Sequence, residues 1–295
     1  MVTVDGTGST WTNSGYLSIG TTRIDPDRPP HTGKGTLSIT GGAAVSASWA
    51  SINTQSLLAI DVGRGSSLLV DSGNGEIGND GTVRVLAGTG TTTGSVHSPI
   101  SAGTWDGSGI YQAVGGTWDA TEHQFTVSDV QSGVSGSVAT IDLNEMQRLL
   151  IADGGTGWSL GASFLAMDVS TTLNFTATAI DTLDGLESLL GSGESVLGAW
   201  NIELDGDGYT TGDPAYLSFD IGAGYSRSGL QVWHYDGSQW TNYAASDLTY
   251  DGTYASFTVT GFSGYAVSTV PEPGTLALLL AAGLGLLWYV RRKRR

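Results

Sequence analysis

The chain has 295 residues and no cysteine, which excludes disulfide bonds, thiolate metal sites and a cysteine nucleophile. Basic residues are also scarce, since 12 Lys and Arg stand against 28 Asp and Glu. Five of those 12 are the last five residues, so the rest of the chain is more acidic than the net charge of −16 indicates. Phosphate groups repel a body of this charge, and we therefore expect no nucleic acid as a partner.

Histidine is scarce as well. The four histidines are widely separated and form no H-E-x-x-H or other paired ligand spacing: His31, His97, His123 and His234. We therefore expect no histidine metal site and no bound cofactor.

The acidic stretch LDGDGYTTGD, residues 204–213, is a second candidate for a metal, through Asp205, Asp207 and Asp213. An EF-hand loop needs Asp or Asn at its fifth position and Gly at its sixth, where Tyr209 and Thr210 stand here. The EF-hand is thus excluded, while a looser calcium turn and a solvated acidic turn both stay open.

Glycine, by contrast, is abundant, with 45 residues interleaved among Thr, Val, Ile and Leu. This pattern indicates a mainly β protein of short strands and tight turns. A short pattern recurs over residues 1–97. In each copy, two apolar residues that point to one face alternate with residues that point to the other, and Gly, Asp or Asn bounds the segment. The pairs are Leu17 with Ile19, Leu37 with Ile39, and Leu58 with Ile60. Since such units bury their apolar rows only when stacked, we predict a short, right-handed, parallel β-helix-like solenoid; ordinary hairpins in an antiparallel sandwich are the alternative.

Residues 98–157 are predicted to be a connecting β segment with a candidate short helix. Two copies of GTWD, residues 103–106 and 116–119, resemble joints between turn and strand. The helix is IDLNEMQRLL, residues 141–150, with Asp142 as cap and Glu145 completing the capping box. A buried strand over RLLIAD is the alternative. A second candidate helix covers residues 181–190, although Gly185 weakens it.

Residues 158–268 have the short, evenly spaced strands of an Ig-like antiparallel β-sandwich. The clearest hairpin is VWHYDGSQWTNY, with Asp236-Gly237 at its turn. Its aromatic residues Trp233, Tyr235 and Trp240 could stack on sugar rings if they are exposed. Packing into the sandwich core is the alternative, because one side of such a strand is normally buried.

The motif GWSLG, residues 157–161, matches the G-x-S-x-G pattern of a nucleophile elbow with Ser159 as nucleophile. The elbow needs a helix directly after the serine, whereas the following segments have the pattern of strands. A turn leading into the sandwich is therefore the competing interpretation, and we expect no catalytic residue.

Residues 275–290 carry no charge and form a predicted C-terminal transmembrane helix. At about 1.5 Å per residue it spans roughly 24 Å, and the flanking arginines can snorkel to cover the remaining thickness of the bilayer. Trp288 and Tyr289 stand where an interfacial aromatic belt belongs. The basic cluster of residues 291–295 should stay cytoplasmic: Arg291, Arg292, Lys293, Arg294 and Arg295. A buried core helix is the alternative.

Residues 269–274 form a predicted linker that contains Pro271, Glu272 and Pro273. A residue before a proline is forced into an extended conformation, and both Val270 and Glu272 hold such positions. The linker is thus a stiff, exposed strand of the shape that a processing enzyme needs in its substrate. A helix boundary that uses prolines is the alternative.

The order Pro-Glu-Pro, apolar helix and terminal arginine cluster resembles the PEP-CTERM sorting signal. The resemblance covers residues 270–295. It implies processing by an exosortase, passage through the inner membrane, and delivery to the surface of a Gram-negative bacterium that makes extracellular polysaccharide. Proteins of this kind usually carry a signal peptide, but MVTVDGTGSTW has neither a basic nor an apolar region. We therefore expect the natural N-terminus further upstream; a protein that is not exported is the alternative.

The first functional hypothesis is a non-enzymatic, exported protein of the cell surface or extracellular matrix with a structural or adhesive role. The second is a carbohydrate-binding protein of the extracellular polysaccharide, and the third is a secreted hydrolase.

Overall fold

The computed structural model describes residues 1–23, 31–71, 74–135, 138–143, 147–167, 171–183, 185–205, 209 and 212–269. The predicted mainly β class is confirmed, because strands dominate the described residues and a single 3₁₀ turn, Arg227–Gly229, is the helical element among them.

The N-terminal half contains sixteen strands: β1 Val2–Asp5, β2 Thr10–Ile19, β3 Thr21–Arg23, β4 His31–Gly33, β5 Thr36–Thr40, β6 Ala44–Ile52, β7 Leu57–Asp61, β8 Ser67–Val70, β9 Glu76–Asn79, β10 Thr82–Leu86, β11 Val96–His97, β12 Ile100–Ser101, β13 Thr104–Asp106, β14 Ile110–Val114, β15 Gly116–Asp119 and β16 Gln124–Val127.

Most of these strands form two parallel sheets between which the chain alternates. The first sheet has the order β1-β5-β7-β10-β14, and the second has the order β12-β8-β6-β9-β13 with β2 also paired to β6. Leu37 is in register with Leu58, which is in register with Val83, and all three side chains are buried. Equivalent apolar residues therefore stack from strand to strand, and both sheets contribute to one core.

Two of the predicted repeat residues lie in a different sheet from the other pairs. Leu17 and Ile19 belong to β2 in the second sheet, in register with Ala50 and Ile52, and not above Leu37 in the first sheet. They reach the same core from the opposite side. Period-2 alternation identifies which side chains point inward, but it carries no information on which sheet a strand joins.

The C-terminal half contains twelve strands: β17 Val130–Ser135, β18 Val138–Asp142, β19 Arg148–Ala152, β20 Ser159–Ser163, β21 Thr172–Ala179, β22 Val196–Asp205, β23 Ala215–Asp220, β24 Leu230–Tyr235, β25 Trp240–Asn242, β26 Thr249–Tyr250, β27 Tyr254–Val259 and β28 Gly264–Thr269. They form two six-stranded sheets, β17-β19-β20-β23-β27-β26 and β18-β21-β22-β28-β24-β25. All neighbours are antiparallel except β17 and β19. Apolar residues of both sheets share one core.

These sheets begin before the expected boundary at residue 158. Strands β17 to β19, from Val130 onward, pair with later strands of the same two sheets. The described sheets therefore contain twelve strands instead of the seven or so of an Ig-like domain. The additional strands come from the segment that the sequence pattern assigns to a connection.

Both predicted helices are wrong in the described residues. Residues 148–152 form β19, in which Leu149 and Ile151 are fully buried in the shared core, so the alternative of a buried strand holds. Residues 185–189 form turns, and Gly185 adopts φ = +87°, a conformation that a right-handed helix does not contain. Pairing with neighbouring strands makes residues 148–152 a strand, whereas the backbone conformation at Gly185 is incompatible with the second helix.

The two halves meet around Arg148, whose side chain is fully buried. Its guanidinium donates to the carbonyl oxygens of Gly88 at 3.0 Å and Thr91 at 2.8 Å, and also to the carbonyl of Ser128 through Nε at 2.9 Å. Burial lowers the pKa of Arg148 to about 10. This cation ties the loop after β10 and the end of β16 to the first strands of the C-terminal half.

A second buried contact across the junction joins Asp61 and Tyr216. The Tyr216 hydroxyl donates to Asp61 Oδ2 at 2.8 Å, and the Gly63 amide donates to Asp61 Oδ1 at 2.7 Å. Burial raises the pKa of Asp61 to about 6, against the opposing effect of these two hydrogen bonds. The charges of Asp247 and Asp251 raise it further.

No helix in the described part of the chain is long and apolar enough to cross a membrane. The predicted span at residues 275–290, the linker that precedes it and the terminal basic cluster lie outside the described residues.

Replacement of Arg148 by Met should lower the free energy of unfolding by roughly 3–5 kcal/mol, because several buried carbonyl groups lose their donor. Urea unfolding followed by tryptophan fluorescence measures the change. Arg227→Met is the control: Arg227 is half-exposed, lies 3.7 Å from Asp5 and donates one hydrogen bond, to the Leu248 carbonyl at 3.1 Å, contacts that each contribute about 1 kcal/mol or less. Equal losses in the two variants would contradict the role given to Arg148.

The raised pKa of Asp61 makes stability depend on pH with a definite sign. The folded chain prefers the protonated carboxyl, so the contribution of Asp61 is fully present below about pH 3.8 and is lost as the pH rises through about 6. Relative to Asp61→Asn, the free energy of unfolding of the natural chain should fall by about 2 kcal/mol between pH 4 and pH 7. Tyr216→Phe removes a donor to the carboxylate and should make this fall steeper. A constant difference between the natural chain and Asp61→Asn at all pH values would refute the assignment.

Candidate functional site

The predicted hairpin is present, with Trp233 opposite Asn242 and Tyr235 opposite Trp240 in β24 and β25. The carboxylate of Asp236 closes its turn by accepting from the Ser238 hydroxyl and from the amides of Gln239 and Ser238. The hydroxyl bond first, and then the two amide bonds, lower the pKa of Asp236 to about 2. The hairpin is therefore a rigid element whose turn follows directly from the sequence.

Its two tryptophans are mostly buried. Trp233 and Trp240 are each 7 % exposed and pack with Leu186, Ala199 and Ala266, and Trp233 Nε1 donates to Ser268 Oγ at 2.9 Å. Tyr235 is half-buried and its ring lies 5.2 Å from that of Trp240. The structure thus brings the three predicted aromatic residues together, but in a small core that leaves little ring surface to stack on a sugar.

The acidic stretch is described in part. Asp205 ends β22, Asp213 precedes β23, and Asp207 lies outside the described residues. Within the described ranges no group of three His, Asp or Glu residues could hold a metal ion. The calcium turn stays a prediction.

Ser159 is the first residue of β20, which lies between β19 and β23 in an antiparallel sheet. A strand, and not a helix, follows it, so the strand-turn-helix geometry of a nucleophile elbow is not formed here. The physical reason is that Leu160 and Ala162 are fully buried on alternate positions of this strand.

Two histidines pair with serines. His234 Nε2 lies 2.7 Å from Ser263 Oγ, and His97 Nε2 lies 2.9 Å from Ser95 Oγ. Catalysis by a serine also requires a carboxylate on the second ring nitrogen and donors for the oxyanion. The described hydrogen bonds of each ring go to its serine, so neither pair has the arrangement of a triad.

The two GTWD copies meet in one aromatic cluster at the end of the parallel sheets. Trp105 stacks on His123 at 3.8 Å, and Trp118 stacks on Tyr111 at 5.4 Å. All four rings are half-buried, and the tryptophans and Tyr111 pack against the N-terminal core. The copies therefore act as a pair that covers this end of the core, which their spacing in the sequence alone does not indicate.

Sequence reasoning missed two strongly exposed aromatic residues, Tyr16 and Trp49, on the outer side of the second parallel sheet. The sequence does indicate the exposure of Tyr16, because polar residues precede it and the inward-facing Leu17 and Ile19 follow it in alternation. Trp49 gives no such signal, because strict alternation from Val45 and Ala47 would place it inside.

The described chain ends at a well-anchored strand. β28 lies between β22 and β24, and its last residue, Thr269, is in register with Leu230. The Thr269 amide donates to the Ser195 carbonyl at 2.9 Å, and the Thr269 hydroxyl accepts from the Ser195 amide at 2.9 Å. In the sequence, the predicted sorting residues Pro271, Glu272 and Pro273 thus follow this anchored strand after a single intervening residue.

Comparison with known families finds a match at this end of the chain. Residues 269–295 match the family described as the PEP-CTERM protein-sorting motif, which confirms the resemblance seen in the sequence. Comparisons of the chain with curated proteins and with solved structures give no match. The motif begins in the last residue of β28 and includes the Pro-Glu-Pro linker, the apolar segment and the basic cluster. The chain therefore carries a PEP-CTERM protein-sorting motif at its C-terminus, as expected of an exosortase substrate.

Proposed function

We propose that the chain is a non-enzymatic, exported protein of the cell surface or extracellular matrix with a structural or adhesive role. The observation that carries the proposal is the sorting motif at residues 269–295. An exosortase-type enzyme is the partner that recognises the motif. The inner membrane holds the chain only transiently, through the apolar residues 275–290 and the basic cluster.

The position of the motif directly after β28 supports its role as the segment that the processing enzyme recognises. Because Thr269 is hydrogen-bonded within a central strand, little slack separates the sandwich from Pro271. The sandwich therefore lies close to the membrane surface when the apolar segment is inserted. The Pro-Glu-Pro motif is then presented between the folded body and the bilayer.

The body suits a structural role. We propose that the two parallel sheets are the walls of a short β-solenoid, and that the C-terminal sheets form a β-sandwich joined rigidly to it. The stacked registers of Leu37, Leu58 and Val83 support the solenoid. The buried contacts of Arg148 and Asp61 support the rigid junction. The strand position of Ser159 favours a non-enzymatic role over a secreted hydrolase.

The motif predicts a change in mass that can be measured directly. The gene, extended upstream by a signal peptide, is expressed in a Gram-negative host with an exosortase and in an isogenic host without it. In the first host we expect the intact mass to lack the residues beyond about Pro273, and the protein to be recovered from the cell surface or medium. In the second host the full mass should be retained in the membrane fraction.

Glu272→Gln should reduce the processed fraction in the host with the enzyme, because it changes the acidic centre of the motif. Glu203→Gln makes the same change at an exposed glutamate of β22 and should be processed like the natural chain. Retention of the full mass in both hosts would show that the tail is a simple anchor, which would refute the processing role.

A further inference from the structure

The second parallel sheet has an outer side that is unusual for so acidic a chain. We call it the hydroxyl face and define it by the outward residues of β2, β6 and β8. None of these three strands contains a charged residue or a proline. The outward residues other than Tyr16, Trp49 and Leu69 are small and mostly hydroxylated: Thr10, Thr12, Ser14, Gly15, Ser18, Ala44, Ser46, Ser48, Ser51 and Ser67.

Tyr16 and Trp49 stand side by side on the hydroxyl face. They are partners in register in β2 and β6, so their Cα atoms are about 4.8 Å apart and both side chains point outward. Tyr16 is 61 % exposed and Trp49 is 45 % exposed, although the next residues along each strand, Leu17 and Ala50, are buried. Large aromatic residues with this exposure need a reason, since burying each would stabilise the fold.

The fold turns Trp49 outward by a local break in alternation. β6 pairs with β8 up to Ala47 and with β9 from Ala50, and these two alanines, three residues apart, are both buried. Ser48 and Trp49 between them therefore both lie outside the core.

Opposite this break, β2 contains one additional residue between Asn13 and Tyr16. Asn13 accepts from the Gly15 amide at 3.0 Å and donates to the Tyr16 carbonyl at 3.1 Å, while Ser48 Oγ donates to the Ser14 carbonyl at 3.0 Å. These bonds hold the bulge, a feature that commonly re-aims a side chain at binding sites.

We propose that the hydroxyl face binds a neutral polysaccharide, with Tyr16 and Trp49 stacking on neighbouring sugar units of one chain. The apolar C–H side of a sugar ring packs on an aromatic face, while the tyrosine hydroxyl and indole N–H stay available for hydrogen bonds. The serine and threonine hydroxyls around the two rings both donate and accept, as sugar hydroxyls require. The uncharged outward residues of β2, β6 and β8 suit an extended chain of such units, and the first charged neighbour is Glu76 of β9, at the border of the face.

Charge selects a neutral polysaccharide over an acidic one. The chain carries a net charge of −16, which repels an anionic polymer, and the hydroxyl face offers no cation to offset this repulsion. Composition argues against a second copy of the chain as the occupant. A stable protein interface buries about 1,600 Å² around an apolar core, whereas Tyr16, Trp49 and Leu69 are the large apolar residues among the outward residues of this face.

Polysaccharide binding would specify the ligand of the adhesive role proposed above, and its biological setting rests on that role. Binding by the purified chain does not require export, however, and the mass experiment above does not require binding. Failure of one is therefore distinguishable from failure of the other.

Affinity electrophoresis tests the proposal with the full chain in mild detergent, in native gels that contain hydroxyethyl cellulose, galactomannan or alginate. We expect retardation by at least one of the two neutral polymers and none by alginate. Trp49→Ala and Tyr16→Ala should each weaken the retardation about tenfold, the size expected for loss of one stacked ring. Trp49→Phe, which keeps a ring, should retain most of it.

Tyr235→Ala is the matched control, because it removes a half-buried aromatic residue from the hairpin of β24 and β25. It should bind like the natural chain. Loss of binding in Tyr235→Ala together with normal binding in Trp49→Ala would place the site on the hairpin and overturn the proposal. Migration unaffected by both neutral polymers, or retardation equal in the natural chain and in both face variants, would overturn it as well. Sedimentation that reveals a dimer abolished by Trp49→Ala would assign the face to a second copy instead.

Discussion

The buried guanidinium of Arg148 is the constraint on which the arrangement of the two halves depends. An arginine without solvent is tolerated only where its donors are satisfied, and here backbone carbonyls of Gly88, Thr91 and Ser128 accept from it. These carbonyls belong to the loop after β10 and to the residue after β16, so the cation joins the end of the parallel sheets to β19. Leaving the junction open would expose both the guanidinium and the carbonyls that it satisfies.

The same junction contains a carboxyl group whose pKa is raised by burial. Asp61 accepts from the Tyr216 hydroxyl, and burial together with the charges of Asp247 and Asp251 raises the pKa of Asp61 to about 6. The cation and the carboxyl are not partners, since backbone carbonyls accept from Arg148 while the Tyr216 hydroxyl and the Gly63 amide donate to Asp61. The junction is thus polar and specific, and its hydrogen bonds leave little freedom for the halves to slide.

The proposed export of the chain is consistent with the position of the hydroxyl face in the fold. A protein delivered to the cell surface by its C-terminus presents the rest of its body outward, and the hydroxyl face lies in the half of the chain most distant in sequence from the sorting motif. The Pro-Glu-Pro motif follows β28 closely in the sequence, so under the proposed function the C-terminal sheets are the part of the body nearest the membrane. In that proposal the C-terminal half attaches the chain, and the N-terminal half is free to contact its surroundings.

The sequence by itself determined the β class, the turn at Asp236-Gly237 and the sorting motif, because these depend on local conformation and on the order of residue types. Alternation in period 2 likewise identified Leu37, Ile39, Leu58 and Ile60 as inward residues. Only the tertiary structure decided that Leu17 and Ile19 join the opposite sheet, that residues 148–152 form a strand, and that Trp233 and Trp240 are packed inside. It also turned Trp49 outward, against the alternation of its own strand. The reason is the same in each case: pairing partners lie far apart in the sequence, and the partner fixes the sheet, the register and the face on which a side chain emerges.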